Sequence, residues 1–242
     1  MNDSEPRNPF RTKGFIVGAT VVGALALAGI VLGVTSLGTG GGGTTAATPG
    51  TPALTPTSTV SAEAESVCGL PGYEESGTLT TPPTTEWTIV GTIAAPSSET
   101  AGPGVTDDDG LRRCYAHTVE GAVFAVANLW AMGSDARLAT PVFDKLTVPG
   151  PGRDAALASN AQPSNTGIGV QIVGVKVNSY TATDATIDVA FRVTTGQLIS
   201  FAAPVQWSDG DWKSVLTADG MPPFRPVNLQ SLGGYIPWAG TE

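Results

Sequence analysis

The pattern of hydrophobic and polar positions divides the chain into stretches that predict different structures. Gly14 to Val34 contains 21 residues without a charge, a stretch that as a helix extends about 31 Å and can cross a bilayer once. Between residues 119 and 132, apolar positions recur at helical spacing and predict a helix with a broad buried face. From residue 167 onward, β-branched segments separated by turn residues predict strands. The pattern therefore predicts a membrane span, then helices, then a sheet.

Basic residues set the orientation of the predicted span. Arg7, Arg11 and Lys13 precede it, and no Lys or Arg follows before Arg112, so the positive-inside rule places the N-terminus in the cytoplasm. A signal peptide has a shorter apolar run of about 7 to 15 residues, so we expect a retained single-pass anchor in the cell membrane. Cleavage after the span stays open as an alternative, because Thr45-Ala46-Ala47 leaves room for processing.

The predicted span is followed by a segment that cannot form a packed core. Residues 37–66 are mostly Gly, Thr, Pro and Ser, and such a segment buries too little apolar surface to offset its ordering entropy. We expect a cytoplasmic tail at 1–13, a transmembrane helix at 14–36, a disordered linker at 37–66 and an extracytoplasmic domain at 67–242. Gly29 and Gly33 have the spacing that lets two membrane helices approach closely, which leaves self-association open.

In the predicted outer domain, helices come first and strands after. Thr118 stands at the N-cap position of the first helix, and Glu120 lies in its first turn, where a negative charge favours the helix dipole. Shorter helices are expected at 135–146 and 153–161, after an early strand at 85–96. The later strands are expected at 167–181, 185–195, 198–210 and 211–219, with the hairpin signal Asp209-Gly210 between the last two. This order predicts an α+β domain in which a curved antiparallel sheet wraps the first helix.

Over residues 85–219 this plan resembles the cone-shaped fold shared by nuclear transport factor 2, ketosteroid isomerase and the outer domains of VirB8-type conjugation proteins. A second likeness lies in the segments WTIVGTIAAPSSETAGPG, DGLRRCYAHTVEGAVFAVANL and GGYIPWAG. They are similar to an actinobacterial family of membrane-anchored proteins, often found in mobile elements, in which an A-H-T-x-x-G-A helix start recurs. The resemblance implies an NTF2-like domain in a conjugative setting, and it brings no catalytic residue.

The two cysteines of the chain, Cys68 and Cys114, both fall on the predicted outer side, where oxidising conditions allow disulfides. We expect them to be bonded, with a stabilisation of roughly 3 to 4 kcal/mol from the closed loop. The rival interpretation is a catalytic thiol that works with His117. Such a thiol needs an electropositive surrounding, which Arg112 and Arg113 would provide.

His117 is the only histidine of the chain and precedes the predicted N-cap Thr118 by one residue. We expect it to hydrogen-bond locally and fix the start of the helix together with Thr118 and Glu120; catalysis by His117 with Glu120 is the alternative. An isomerase-type site needs an inward carboxylate base and a proton donor, whereas the predicted inward positions are Ala, Val, Ile and Phe. The chain has no nucleophile elbow, phosphate loop, H-E-x-x-H or paired C-x-x-C motif. We therefore expect no enzyme activity, no cofactor and no metal, with Asp107 to Asp109 forming a turn rather than a calcium loop.

The charge of the predicted exterior excludes one class of partner. The chain has 12 Lys and Arg against 21 Asp and Glu, and three of the basic and two of the acidic residues precede the span, which leaves 9 against 19 outside. Nucleic acid is bound through basic clusters, so we expect no direct contact with it.

The functional hypothesis that follows is a bitopic scaffold or assembly subunit of a conjugative, type IV secretion-like transfer apparatus. Its expected partners are other membrane or envelope proteins. Tyr235 and Trp238 lie in a glycine-rich tail, where they either dock on the sheet or contact such a partner. The alternative function is an extracytoplasmic module that binds a small apolar ligand or a cell-wall component in the cone.

Overall fold

The computed structural model describes residues 65–159 and 169–240. The strands are β1 (Glu86–Val90), β2 (Ile93–Ser97), β3 (Val105–Thr106), β4 (Arg112–Arg113), β5 (Val170–Tyr180), β6 (Asp184–Val193), β7 (Leu198–Ser208), β8 (Asp211–Ser214), β9 (Val227–Leu229) and β10 (Ile236–Pro237). The helices are α1 (Val119–Gly133), α2 (Ala139–Lys145) and α3 (Pro151–Ala158), with a 3₁₀ helix at Ala136–Leu138 between α1 and α2.

A six-stranded antiparallel sheet is the largest element among the described residues. Its order is β10-β5-β6-β7-β8, and β9 pairs with β7. The turn between β7 and β8 is Asp209-Gly210, and both residues have positive φ, 53° and 74°, as a two-residue type I′ turn requires. This turn places Trp207 opposite Trp212. The meander predicted between 167 and 219 is present as β5 to β8.

The fold-class prediction, an α+β domain with helices followed by strands, is wrong. Strands make up 36% of the structure and helices 20%. Four strands precede α1. Two of them arise because Gly91, with a φ of 59°, turns the predicted single strand at 85–96 into the hairpin β1–β2, and β3 and β4 form a second pair. The helices after α1 are short, 7 residues in α2 and 8 in α3, and α3 begins at Pro151, two residues before the helix expected at 153–161. The domain is therefore sheet-rich with one long helix, and it does not have the element order of the predicted NTF2-like cone.

The membrane part of the fold prediction concerns other residues. None of the helices within 65–159 and 169–240 is long and apolar enough to cross a bilayer. The predicted tail at 1–13, the transmembrane helix at 14–36 and the linker up to residue 64 lie outside the described residues.

Helix α1 is the centre of the core. It is apolar on nearly every side, which is typical of a buried helix, and eleven of its residues are buried. It packs against the inner face of the sheet, where Ile187, Val189 and Val205 are buried, and against β2, where Ile93 and Ala95 are buried. The helix predicted at 119–132 is thus present with one further residue. Its buried first turn brings the candidate residues at 114–120 against the sheet.

Candidate functional site

A disulfide ties the beginning of the described chain to the segment before α1. Cys68 and Cys114 are bonded, with their Cα atoms 6.2 Å apart, so the predicted disulfide is present in the structure. Both cysteines of the chain are used in this bond, and the catalytic-thiol interpretation therefore lacks a thiol. We call the region where residues 65–74, 112–118 and 207–212 meet the disulfide corner.

A buried carboxylate holds the disulfide corner from the sheet side. Asp211, at the start of β8, is 5% exposed. Its Oδ2 accepts a hydrogen bond from the Cys114 backbone N–H at 2.7 Å, and its Oδ1 accepts from the N–H groups of Tyr115 and Trp212 at 2.9 Å each. Burial raises the pKa of Asp211 to about 6, although the three backbone hydrogen bonds favour the charged form. Asp211 thus joins two segments that lie almost a hundred residues apart.

The imidazole of His117 is packed among aromatic rings and is only 3% exposed. It stacks on Trp207, with ring centroids 3.7 Å apart and an angle of 7° between the planes, and it meets Tyr73 and Trp212 edge-on at 5.0 and 5.8 Å. Its Nε2 lies 2.5 Å from the carbonyl oxygen of Ala182. Because a carbonyl only accepts, Nε2 carries a proton and donates it. In this arrangement His117 links the segment 65–74, the β5–β6 turn and the β7–β8 hairpin.

Two side chains satisfy the N–H groups at the start of α1. Thr118 Oγ1 accepts from the Gly121 N–H at 3.1 Å, as predicted for the N-cap. Glu74 Oε2 accepts from the Val119 N–H at 2.7 Å, from outside the helix. Glu120 lines a shallow cleft of about 220 Å³ beside Glu74 and Thr118. Thr118 and Glu74 therefore cap the start of α1, and Glu120 lies in its first turn.

The glycine of the A-H-T-x-x-G-A pattern has a steric cause. A Cβ added at Gly121 would lie 1.9 Å from the carbonyl oxygen of Ala116 and within 3 Å of two further Ala116 backbone atoms. No side chain fits there without moving the backbone that carries His117. The pattern thus describes a close approach between α1 and the segment just before it.

Tyr235 and Trp238 both lie against the described domain. The Tyr235 hydroxyl donates to Asp188 Oδ2 at 2.7 Å and is hydrogen-bonded to Ser200 Oγ at 2.9 Å; burial, and then the Asp188 carboxylate, raise the pKa of Tyr235 to about 12. Trp238 is 4% exposed and donates from Nε1 to Thr85 Oγ1 at 2.8 Å. Of the two alternatives for this tail, docking on the fold is the one that these contacts describe.

The acidic run Asp107 to Asp109 forms a turn. Asp107 accepts ionic hydrogen bonds from Arg113 at 2.9 Å and from Lys145 at 3.0 Å, and these two cations, Arg113 first, lower its pKa. Asp109 Oδ1 accepts from the Leu111 N–H at 3.0 Å. Within 65–159 and 169–240, no three side chains of the metal-binding types are grouped as a metal site requires.

Sequence reasoning missed Glu74 and Asp211, the two carboxylates that organise the corner. Glu74 lies in a stretch without periodicity, and Asp211 looks like the last residue of a hairpin turn. Their backbone partners are 45 and 97 positions away, so no local pattern of residues could point to them.

The fold and the corner define a class: a sheet-rich domain with one buried helix, stapled by a disulfide at the point where the described chain begins. The chain belongs to the family described as Domain of unknown function (DUF8175), which matches residues 47–237. No curated protein and no solved structure matches it.

Proposed function

We propose that this protein is a membrane-anchored assembly subunit whose outer domain binds other envelope proteins, in the setting of a conjugative, type IV secretion-like apparatus. The anchor and the setting come from the sequence. The observation that carries the binding role is a rigid aromatic surface at the disulfide corner.

This surface, which we call the corner surface, consists of Val67, Tyr73 and Trp207. Val67 is 61% and Tyr73 42% exposed, and Trp207 is partly exposed. Tyr73 and Trp207 both contact the ring of His117, and the Val67 N–H donates to the Gly210 carbonyl at 2.8 Å beside the same hairpin. Tyr and Trp are enriched at protein interfaces and among the residues that dominate binding energy.

The corner surface is held rigid on several sides. The disulfide fixes the chain next to Val67, Asp211 fixes the hairpin that carries Trp207, and His117 packs between Tyr73 and Trp207. A rigid surface loses little conformational entropy on binding. The corner also follows directly on the predicted linker, and a tether of this kind strengthens weak contacts by raising the effective concentration.

The alternative function, an interior site for a small apolar ligand, has less support. The space between α1 and the sheet is filled by side chains, among them Phe124, Phe191 and Trp212, each at most 1% exposed. A cell-wall component would have to bind at the surface, where exposed rings can stack on sugar rings. The experiment below separates that outcome from protein binding.

A photo-crosslinking amino acid placed at Tyr73 of the full-length protein tests the proposal in a host that carries the native mobile element. Met221, 60% exposed in the loop between β8 and β9, is the matched control position. We expect crosslinks from position 73, and not from 221, to membrane or envelope subunits of the transfer apparatus, identified by mass spectrometry. Adducts with cell-wall glycan would favour the alternative, and the same products from both positions would contradict a role for the corner surface.

Deletion of the gene tests the setting and the anchor separately. We expect DNA transfer to be lost on deletion and restored by the full-length protein but not by residues 60–242 exported behind a cleavable signal peptide. Normal transfer in the deletion strain would remove the conjugation setting. Full rescue by the released domain would keep a role in transfer and overturn the need for an anchor.

A further inference from the structure

Strand β1 has a backbone edge to which no described residue is bonded. It pairs only with β2, in a hairpin closed at Val90 and Ile93. In a hairpin with this two-residue loop the closing pair exchanges its hydrogen bonds, so the N–H and C=O groups of Trp87 and Ile89 point away from β2. On β2, the outward Ala94 N–H donates to Gln171 and the Pro96 carbonyl accepts from Arg112 and Asn128. No residue within 65–159 or 169–240 bonds the backbone of Trp87 or Ile89.

The side chains of β1 do not protect this edge. Proteins usually block an edge strand with proline, lysine, a bulge or a covering segment, and β1, with the sequence EWTIV, contains none of these residues. Its pairing with β2 runs without a register shift. Ile89, one of the two residues whose backbone groups point outward, is 66% exposed. The edge is therefore competent to accept another strand.

A buried cation lies beside the same strand. Arg112 is 8% exposed and donates to Thr88 Oγ1 and to the Pro96 carbonyl at 3.1 Å each. Its Nε is buried without a hydrogen-bond partner, and no carboxylate of the described residues forms an ion pair with it. A buried charge without a counter-charge is unfavourable. Arg112 therefore favours a partner that brings a carboxylate to the Thr88 side of β1.

We infer that β1 pairs antiparallel with β1 of a second copy of this chain, with the two Thr88 residues opposite each other. In this register Trp87 lies opposite Ile89 of the partner subunit, and Ile89 lies opposite the partner's Trp87. Four backbone hydrogen bonds then satisfy the outward groups of both strands. The Trp–Ile pair is of the aromatic and β-branched kind that stabilises sheets, and it arises twice by the two-fold symmetry.

Charge complementarity favours a second copy over other strands. The partner's Glu86 would lie opposite Val90, on the same side of the ribbon as Thr88, because side chains two positions apart share a face. Its side chain would then lie on the face of the ribbon on which Thr88 Oγ1 accepts from Arg112, so the pairing brings a carboxylate to the side of β1 that Arg112 contacts. The pairing supplies a counter-charge to one buried cation in each copy.

This inference does not rest on the proposed function, because β1 and the corner surface are formed by different residues. Loss of β1 pairing would leave binding at the corner surface possible, and the reverse also holds. Each experiment therefore fails independently of the other.

Cysteine crosslinking of the full-length protein in membranes tests the register. In the inferred pair, the two Thr88 residues form a non-hydrogen-bonded pair with Cα atoms about 4.5 Å apart, within the range that a disulfide bridges. We expect Thr88→Cys to form a disulfide-linked dimer on oxidation with copper phenanthroline. Ile89→Cys is the matched control, since the two positions 89 are offset by two residues along the strands. We expect it to give at least tenfold less dimer.

Proline blocks the edge without opening the hairpin. Ile89→Pro removes an outward N–H that β2 does not use, and proline is tolerated at such edge positions. We expect Ile89→Pro to abolish the crosslink of Thr88→Cys. In analytical ultracentrifugation in detergent, the unsubstituted protein should be a dimer and Ile89→Pro a monomer, each with its Cys68–Cys114 disulfide formed.

Three results would overturn the inference. Equal dimer yields from Thr88→Cys and Ile89→Cys would mean that the disulfides form by random collision and not from β1 strands paired at Thr88. A crosslink that survives Ile89→Pro would mean that the edge is not used. A monomeric unsubstituted protein would exclude the pairing without relying on any substitution.

Discussion

Replacing Asp211 with asparagine tests how the disulfide corner is held together. The carboxylate accepts three backbone hydrogen bonds with two oxygens, Oδ2 from Cys114 and Oδ1 from Tyr115 and Trp212. Asparagine keeps one acceptor oxygen and places an NH₂ group where the other was. If the amide oxygen replaces Oδ1, the Cys114 N–H loses its acceptor and faces a second donor. Leaving a buried donor unsatisfied costs about 1 to 3 kcal/mol, so we expect Asp211→Asn to destabilise the domain by about 2 kcal/mol at pH 7.

The effect of Asp211→Asn should grow as the pH falls. Burial raises the pKa of Asp211 from 3.8 to about 6 in the folded protein, so the folded state binds a proton more tightly than the unfolded state. The stabilisation from this proton is fully present below the unfolded pKa and is lost as the pH rises through about 6. Asparagine has no such proton. The difference in free energy of unfolding between the two proteins should widen by about 2 to 3 kcal/mol from pH 7 to pH 4.

Urea unfolding of the full-length protein in detergent, followed by tryptophan fluorescence, measures this difference. All five tryptophans of the chain lie within the described domain, so the signal reports on that domain alone. Asp209→Asn, in the neighbouring turn, is the control: Asp209 is exposed, and its ion pair with Lys213 lowers its pKa. Its substitution should therefore not show the widening at low pH. A difference for Asp211→Asn that is constant from pH 4 to pH 7 would refute the proposed role of its buried proton.

Two further predictions concern the backbone of the corner. Gly121→Ala should destabilise the domain by more than about 3 kcal/mol, because overpacking against backbone exceeds the usual cost of an added methyl group. Gly133→Ala is the control at the end of α1, where a Cβ meets nothing within 4 Å, and it should be neutral or stabilising by up to about 1 kcal/mol. Equal thermal melting temperatures for the two variants would contradict the steric explanation. Alkylation without reductant, followed by mass spectrometry, should label neither cysteine of the folded protein; labelling of both would show that the disulfide is not formed. The double substitution of Cys68 and Cys114 by serine should lower the free energy of unfolding by about 4 kcal/mol for a loop of this length.

Local patterns predicted the elements whose cause lies within a few residues. Helix α1 follows from its apolar spacing and from Thr118, which caps it as expected. The β7–β8 hairpin follows from Asp209-Gly210, because few residue pairs adopt positive φ at both positions. In each case the residues that determine the conformation are neighbours in the chain.

The fold-class prediction was wrong partly because one glycine divides a stretch that has the composition of a single strand. The β-rich stretch at 85–96 has the composition of one long strand, and only the positive φ of Gly91 makes it a hairpin. Strands β9 and β10 were also missed, because each has three residues or fewer and is defined by its pairing with β7 or β5. Short strands of this kind depend on tertiary contacts, which periodicity does not record.

The contacts of His117 bear on the two roles that the sequence leaves open for it, fixing the start of α1 or acting in catalysis. A general base needs a nitrogen that can reach a substrate proton, but Nε2 of His117 donates to Ala182 and one face of the ring is stacked on Trp207. The same contacts hold Tyr73 and Trp207 at the surface in fixed positions. Under the proposed function, His117 would therefore contribute indirectly, by making an exposed aromatic surface rigid. It follows that Tyr73→Ala should weaken partner crosslinking from a photo-crosslinking amino acid placed at the neighbouring Val67, which is 61% exposed, with little change in stability. Substitutions that loosen the corner should affect both.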